Sequence, residues 1–153
     1  MAPDLEQARG TGGQGTAQED VVVSTLGQGE GCLRVLQRTL PPGRRAGRGV
    51  LLAESRRPLL LFETALPVRY YLPPGDVRIE LVPSKTRSVC PYKGVAVWWS
   101  ARIGDRVAED IAWSYPSPVP ENPRIAGLIC FRNERVDLTV DGQRLERPVT
   151  PWS

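Results

Sequence analysis

Between Cys90 and Pro116 the chain gathers the residue types that small-molecule chemistry needs. The first run is Cys90-Pro91-Tyr92-Lys93-Gly94, Trp98-Trp99 follows, and the second run is Asp110-Ile111-Ala112-Trp113-Ser114-Tyr115-Pro116. A lysine amine in a dry aromatic setting can act as a base, form an imine or pair with an anionic ligand; at a rim it is only a charge. Cys90 is either a small buried apolar group or a nucleophile. Asp110 sits in an apolar stretch, where a carboxylate needs an arginine or backbone donor, or serves as a general acid or base. Lys93, Asp110, Tyr115 and Cys90 are therefore the candidate catalytic residues, and Trp98, Trp113 and Tyr92 the candidate ligand-contacting rings. Trp98 and Trp113 can equally be core. The chain has no histidine, which excludes Ser-His-Asp and Cys-His nucleophilic machinery.

These residues must be positioned by strands. From residue 50 onward short apolar and β-branched runs alternate with Gly, Pro and Asp turns. Val50–Glu54, Leu59–Thr64 and Val68–Leu72 read as strands, the last stopped by Pro73-Pro74-Gly75. Asp76–Glu80 reads as a turn or a brief strand before Pro83. Val95–Ile103 is the longest strand, and Gly104-Asp105 is a two-residue hairpin turn returning through Val107–Trp113. A proline-rich loop over 117–123 precedes strands at Ile125–Phe131 and Val136–Val140, and Asp141-Gly142 turns into Gln143–Arg147. A simple two-residue hairpin puts Trp98 opposite Ile111, Ala96 opposite Trp113 and Trp99 opposite Asp110. Trp98 and Trp113 become diagonal neighbours on one face, with Trp99 and Asp110 on the other. Both faces are largely apolar, so a second sheet should cover one and a ligand or loop the other.

The N-terminal part reads differently. Residues 1–20 are rich in Gly, Gln, Ala and charge without periodicity, as in a disordered tail. Val21–Leu26 suits a detached strand. Leu33, Leu36 and Leu40 recur at a helical spacing that suits one or two turns. Pro41-Pro42-Gly43-Arg44-Arg45-Ala46-Gly47-Arg48-Gly49 has linker composition. The expected division is a flexible tail and linker over 1–48 and an all-β domain over 49–153.

Bulk properties narrow the class. Of 153 residues 41% are hydrophobic, and the net charge is +3. From residue 50 onward 14 basic residues face 12 acidic ones, so the excess is thin and forms no basic stripe for nucleic acid. Three cysteines form no even framework and no C-x-x-C pair. The start Met1-Ala2-Pro3-Asp4-Leu5-Glu6 has no secretory leader pattern. No apolar run reaches the ~18–20 residues that span a bilayer. A reduced, cytoplasmic protein without a membrane partner is expected. Three dispersed cysteines without histidine do not make a four-ligand zinc site, so no metal or other cofactor is expected.

Further runs join those above. They are Glu63-Thr64-x-Leu66-Pro67-Val68-Arg69-Tyr70-Tyr71-Leu72-Pro73, Ile125-Ala126-Gly127, Val136-x-Leu138-x-Val140-Asp141-Gly142 and the closing Arg147-Pro148-Val149-Thr150-Pro151-Trp152-Ser153. With the Cys90 and Asp110 runs, they make residues 49–153 closely resemble a bacterial and fungal family catalogued as domain of unknown function 427, its actinobacterial members in particular. The resemblance implies a β-tent-like fold, in which two antiparallel sheets are pinned at one end and splayed over a pocket. Many relatives look like two tandem copies, whereas this chain has one, which leaves open whether the domain pairs with itself, as a homodimer, to replace the missing copy. The family also carries a nucleotidyltransferase-like label. Such chemistry needs clustered carboxylates for Mg²⁺, and residues 49–153 contain no D-x-D or D-x-E pair. One distant branch of β-tent folds reduces methionine sulfoxide through a cysteine. Here that chemistry would fall to Cys90, with Cys130 the cysteine to test as its resolving partner.

Two functions remain. One is a module that binds a small, planar or apolar metabolite without turnover, with an interaction domain using the Arg-rich linker as its less supported variant. The other is a cofactor-independent enzyme of isomerase, cyclase or hydrolase type, of the sort used in secondary metabolism.

Overall fold

Gly104 and Asp105 turn the strand Gly94–Ile103 back on itself, and the molecule is organised around that hairpin, although the longest strand is its neighbour Glu80–Cys90 and not, as expected, the one leading into the turn. In the computed structural model, residues 22–25, 31–37 and 49–151 are described. They form eleven strands: β1 (Val22–Thr25), β2 (Leu33–Gln37), β3 (Val50–Ser55), β4 (Leu59–Phe62), β5 (Arg69–Leu72), β6 (Glu80–Cys90), β7 (Gly94–Ile103), β8 (Arg106–Ser114), β9 (Ile129–Phe131), β10 (Asp137–Val140) and β11 (Gln143–Arg144). The fold is all-β, in two sheets with antiparallel strand pairing. The seven-stranded sheet runs β1-β4-β5-β9-β8-β7-β6 and the four-stranded sheet β11-β10-β2-β3. Short 3-10 turns at Pro74–Asp76 and Pro123–Ile125 punctuate them.

Several sequence expectations change. Residues 33–37 are not helical: β2 pairs with both β3 and β10, burying Leu33 and Val35 in strand alternation. β1 pairs with β4, so both sheets include residues N-terminal to position 49. The expected disordered tail over 1–20 and the linker over 41–48 lie outside the described residues. The turn or brief strand expected over Asp76–Glu80 resolves into the end of a 3-10 turn at Asp76 and the start of β6 at Glu80, and β6 runs on through Pro83 as an edge strand. A missing N–H is tolerated at an edge, and the pairing with β7 is interrupted between Pro83 and Arg87.

The β7–β8 register is the most consequential correction. Next to the turn it follows the simple hairpin, with Ile103 facing Arg106 and Ala101 facing Ala108. It then shifts, so that Trp99 faces Ala112 and Trp98 faces Trp113 directly. The slip is a β-bulge at Asp110, whose φ of 48° lies in the left-handed region that Asp tolerates better than most residues. The bulge turns the Asp110 carboxylate out of the apolar face expected for it. Thr86 Oγ1 donates to its Oδ2 at 2.7 Å, and the Asp110 N–H donates to Ser100 Oγ at 3.1 Å.

One face of the seven-stranded sheet packs on the four-stranded sheet. Leu72, Ala101, Ile111, Ala112, Ile129 and Phe131 meet Leu33, Val35, Leu52, Ala53, Val136 and Leu138, with Trp99 at the margin. The other face carries a row of direct cross-strand partners: Trp98, Trp113, Cys130, Tyr71 and Leu59, on β7, β8, β9, β5 and β4. Facing partners in antiparallel strands project from the same side, so this row is one continuous wall. The loop between β8 and β9 covers part of it through Ile125 and Leu128. Gly94 lets that loop approach the Cys90–Gly94 turn. Its φ is 115°, and an added Cβ would lie 3.3 Å from the Ser117 carbonyl oxygen.

Candidate functional site

The row from Trp98 to Leu59 is the floor of the candidate site, and charged groups gather by it from the start of β5 and from the loops that follow β4, β6 and β9. Trp98 and Trp113 hold their ring centroids 5.3 Å apart at 47°, a tilted contact. Trp113 Nε1 donates to the Tyr71 hydroxyl at 3.2 Å, and Trp98 Nε1 to Ser88 Oγ at 2.9 Å. The Arg69 guanidinium lies 5.2 Å over the Trp113 ring, and that of Arg132 lies 5.8 Å over the Trp98 ring. Each of the two indoles thus has an arginine cation near its ring, a contact that ring quadrupoles favour.

Two buried ion pairs flank the stack. Arg69 binds Glu134 with both nitrogens, at 2.9 and 2.7 Å, and Thr150 Oγ1 donates to the same carboxylate at 3.1 Å. Burial works to raise the Glu134 carboxyl, but the Arg69 hydrogen bonds outweigh it and hold the group down to about 2. Lys93 is only 8% exposed, and its Nζ lies 2.6 Å from Glu63 Oε1. The Cys90–Gly94 turn aims this lysine inward, held by Lys93 N–H donating to the Cys90 carbonyl and by Val119 N–H donating to the Lys93 carbonyl. Taking two such charges from water is costly, and each pair must recover the cost through close geometry.

The phenols and the buried thiol on this face are weak acids. Burial pushes the Tyr71 hydroxyl well up, and it pushes Tyr115 up as well, with Cys90, Cys130 and Glu63 adding to the effect at Tyr115. Burial also pushes the Cys130 thiol up to about 12, against the pull of Arg69 and Lys93. Cys130 is thus a protonated packing group, and a resolving-cysteine role would need the sheet to open. Iodoacetamide at pH 8 should modify half-buried Cys90 well before Cys130, which should react only once urea unfolds the chain. Equal rates for the two under native conditions would contradict this assignment.

Trp113 and Tyr115 share one buried cluster against which Trp98 and Cys90 pack, and Lys93 reaches the same face through its charge interaction with Cys130. Tyr92 is half-buried beside it, and its carbonyl accepts from Asn122 Nδ2 at 2.7 Å. Asp110 is not among them. Burial alone would raise its carboxyl, but hydrogen bonds from Ser84 and Thr86 and the charges of Arg132 and Arg135 hold it below the usual range. Such a group is a poor general acid. Reading the sequence missed Glu63, Arg69, Tyr71 and Glu134. The one available signal was the Glu63-to-Tyr71 run, whose carboxylate, arginine and tyrosines flank an otherwise apolar strand.

Among the described residues no cluster of three His, Cys, Asp or Glu side chains is placed to hold a metal ion. No helix among them is long and apolar enough to cross a membrane. Residues 45–142 match the model of a family described as domain of unknown function (DUF427), and the chain belongs to that family. No curated protein matches the chain.

Proposed function

We propose that the protein is a small-molecule-binding β-domain whose ligand lies against the indole stack, beside the Lys93–Glu63 pair. One observation carries the reading: a buried lysine–carboxylate pair at 2.6 Å lies close to Cys130, Tyr71 and Tyr115 on the sheet face that also carries two indoles in tilted contact. Buried ion pairs are weak contributors to stability compared with apolar packing of the same volume, so a pair among aromatic rings points to recognition. Trp98 is the half-buried end of the stack and the natural contact for a planar or apolar ligand. Lys93 then offers its remaining N–H donors to a polar group on that ligand.

A second reading adds turnover without a cofactor, of isomerase, cyclase or hydrolase type. The Lys93–Glu63 contact favours it, because an amine and a carboxylate at that distance can deliver and accept one proton. Glu63 takes the place expected for Asp110.

The test is titration of the full chain with metabolite fractions from its source cells, followed through the indole N–H signals of Trp98 and Trp113. Binding should shift both signals saturably, and Trp98→Ala should abolish the response. Lys93→Met and Glu63→Gln decide between the readings: turnover lost with affinity kept supports the enzyme, and no conversion by the wild type supports the binding module. Indole signals that no fraction moves would refute both.

A further inference from the structure

Tyr115 is 5% exposed and packs in the same buried cluster as Trp113, Tyr71 and Cys130. Its hydroxyl lies among Cys90, Cys130, Glu63 and Arg69, each near enough to act on its charge. Other polar groups of this face are met: Lys93 by Glu63, Arg69 by Glu134, and the Tyr71 hydroxyl by the Trp113 N–H. Among the described residues none hydrogen-bonds the Tyr115 hydroxyl. Nor is that oxygen sealed. Among the described residues the sealed side-chain oxygens without a partner are Gln37 Oε1 and Asn133 Oδ1, so a water-sized molecule reaches Tyr115 Oη. A phenol O–H in an apolar setting needs a partner, and this one is open to a partner from outside the chain.

We propose that the ligand of the indole face is a small neutral molecule with a carbonyl-type oxygen, to which the Tyr115 O–H donates while the planar body lies on Trp98. This rests on the small-molecule reading of that face and goes further by naming the chemical class. Donation is the role the surroundings assign. Burial and the nearby Glu63 carboxylate hold the Tyr115 proton in place, so the phenol gives a hydrogen bond and does not release its proton near neutrality. Neutrality of the ligand follows from charge. The buried cations Lys93 and Arg69 are matched by carboxylates at 2.6 and 2.7 Å, so an anion would find no unbalanced positive charge to meet it there. Of the groups packed on this cluster, Cys90 and Trp98 are half-buried. The first adjoins the hydroxyl, and the second carries the ring of the ligand.

Acetophenone and α-methylstyrene are matched probes, alike in shape and differing only in C=O against C=CH₂. Titrated into the full chain, both should move the Trp98 and Trp113 indole N–H signals saturably. Tyr115→Phe should weaken acetophenone roughly fivefold or more, the scale of one net hydrogen bond, and leave α-methylstyrene within about twofold. Its urea midpoint should match the wild type, since the hydroxyl has no partner among the described residues. Benzoate, the charged counterpart, should bind the wild type more weakly than acetophenone, which decides the matter even if Tyr115→Phe folds poorly. Equal losses for the two uncharged probes in Tyr115→Phe, no loss for either, or tighter binding of benzoate would overturn the proposal and leave the indole-face reading standing. So would the absence of a saturable shift with either probe (water as sole partner of the hydroxyl) while a metabolite fraction still moves the indole signals. No shift with any of them would overturn both.

Discussion

Replacing Arg69 with Met should lower the free energy of unfolding at pH 7 by about 3–5 kcal/mol, the usual cost of stripping one partner from a buried ion pair. Glu134 would stay behind with its side chain 1% exposed and without its two guanidinium hydrogen bonds. The stack would also lose the cation over Trp113. The pH dependence gives the change a signature. In the wild type the Glu134 carboxyl is held to about 2 against an ordinary 4.5. A lowered folded-state value means its contribution is complete above about 4.5 and is lost as the pH falls through about 2. In the variant, burial without Arg69 favours the protonated acid, so lowering the pH relieves a penalty instead of removing a benefit. Urea unfolding at pH 7, 5 and 3 should therefore find the largest deficit at pH 7 and a smaller one at pH 3. A uniform deficit, or none, would mean that the pair does not carry the charge balance assigned to it.

Trp113→Ala should cost about 3–5 kcal/mol, in the range of large aromatic truncations in cores. Trp113 sits inside the row, with Trp98 and Cys130 as its direct neighbours. Truncation leaves a hole beneath Arg69 and removes the donor to the Tyr71 hydroxyl, which is fully buried. Trp113→Phe keeps most of the ring area and loses mainly that hydrogen bond, so it should cost about 1–2 kcal/mol. The pair of substitutions separates packing from hydrogen bonding by chemical denaturation. Equal losses in the two variants would indicate that the N–H contact, not the ring, dominates.

How much of this was legible in the sequence depended on the range of the interaction. The β7–β8 hairpin was readable because Gly104-Asp105 is a local turn signal, and the register next to it follows from turn length alone. The two-residue slip at Asp110 was not readable, since a bulge is set by how the strand pairs across the sheet. β2 was misread because Leu33, Leu36 and Leu40 fit a helical stripe. Pairing to β3 and β10 on both sides decides the matter in favour of strand, and local pattern is weak against tertiary context. β6 was hidden by Pro83 and by a polar run without alternation, both of which suit an exposed edge. Lys93, Trp98, Trp113 and Tyr115 could be singled out together because they lie on one hairpin and its flanks. Glu63 and Glu134 were missed because they reach Lys93 and Arg69 across separations of 30 and 65 residues. Eighteen arginines in the chain leave no single one conspicuous.

The central claim is that the indole face holds a small molecule, and native mass spectrometry of the gently purified chain tests it most directly. The account predicts an added mass of one small organic molecule on the wild type, absent from Trp98→Ala. Bare protein mass in every wild-type preparation, even after incubation with extract of the source cells, would contradict it. So would an added mass that Trp98→Ala keeps unchanged.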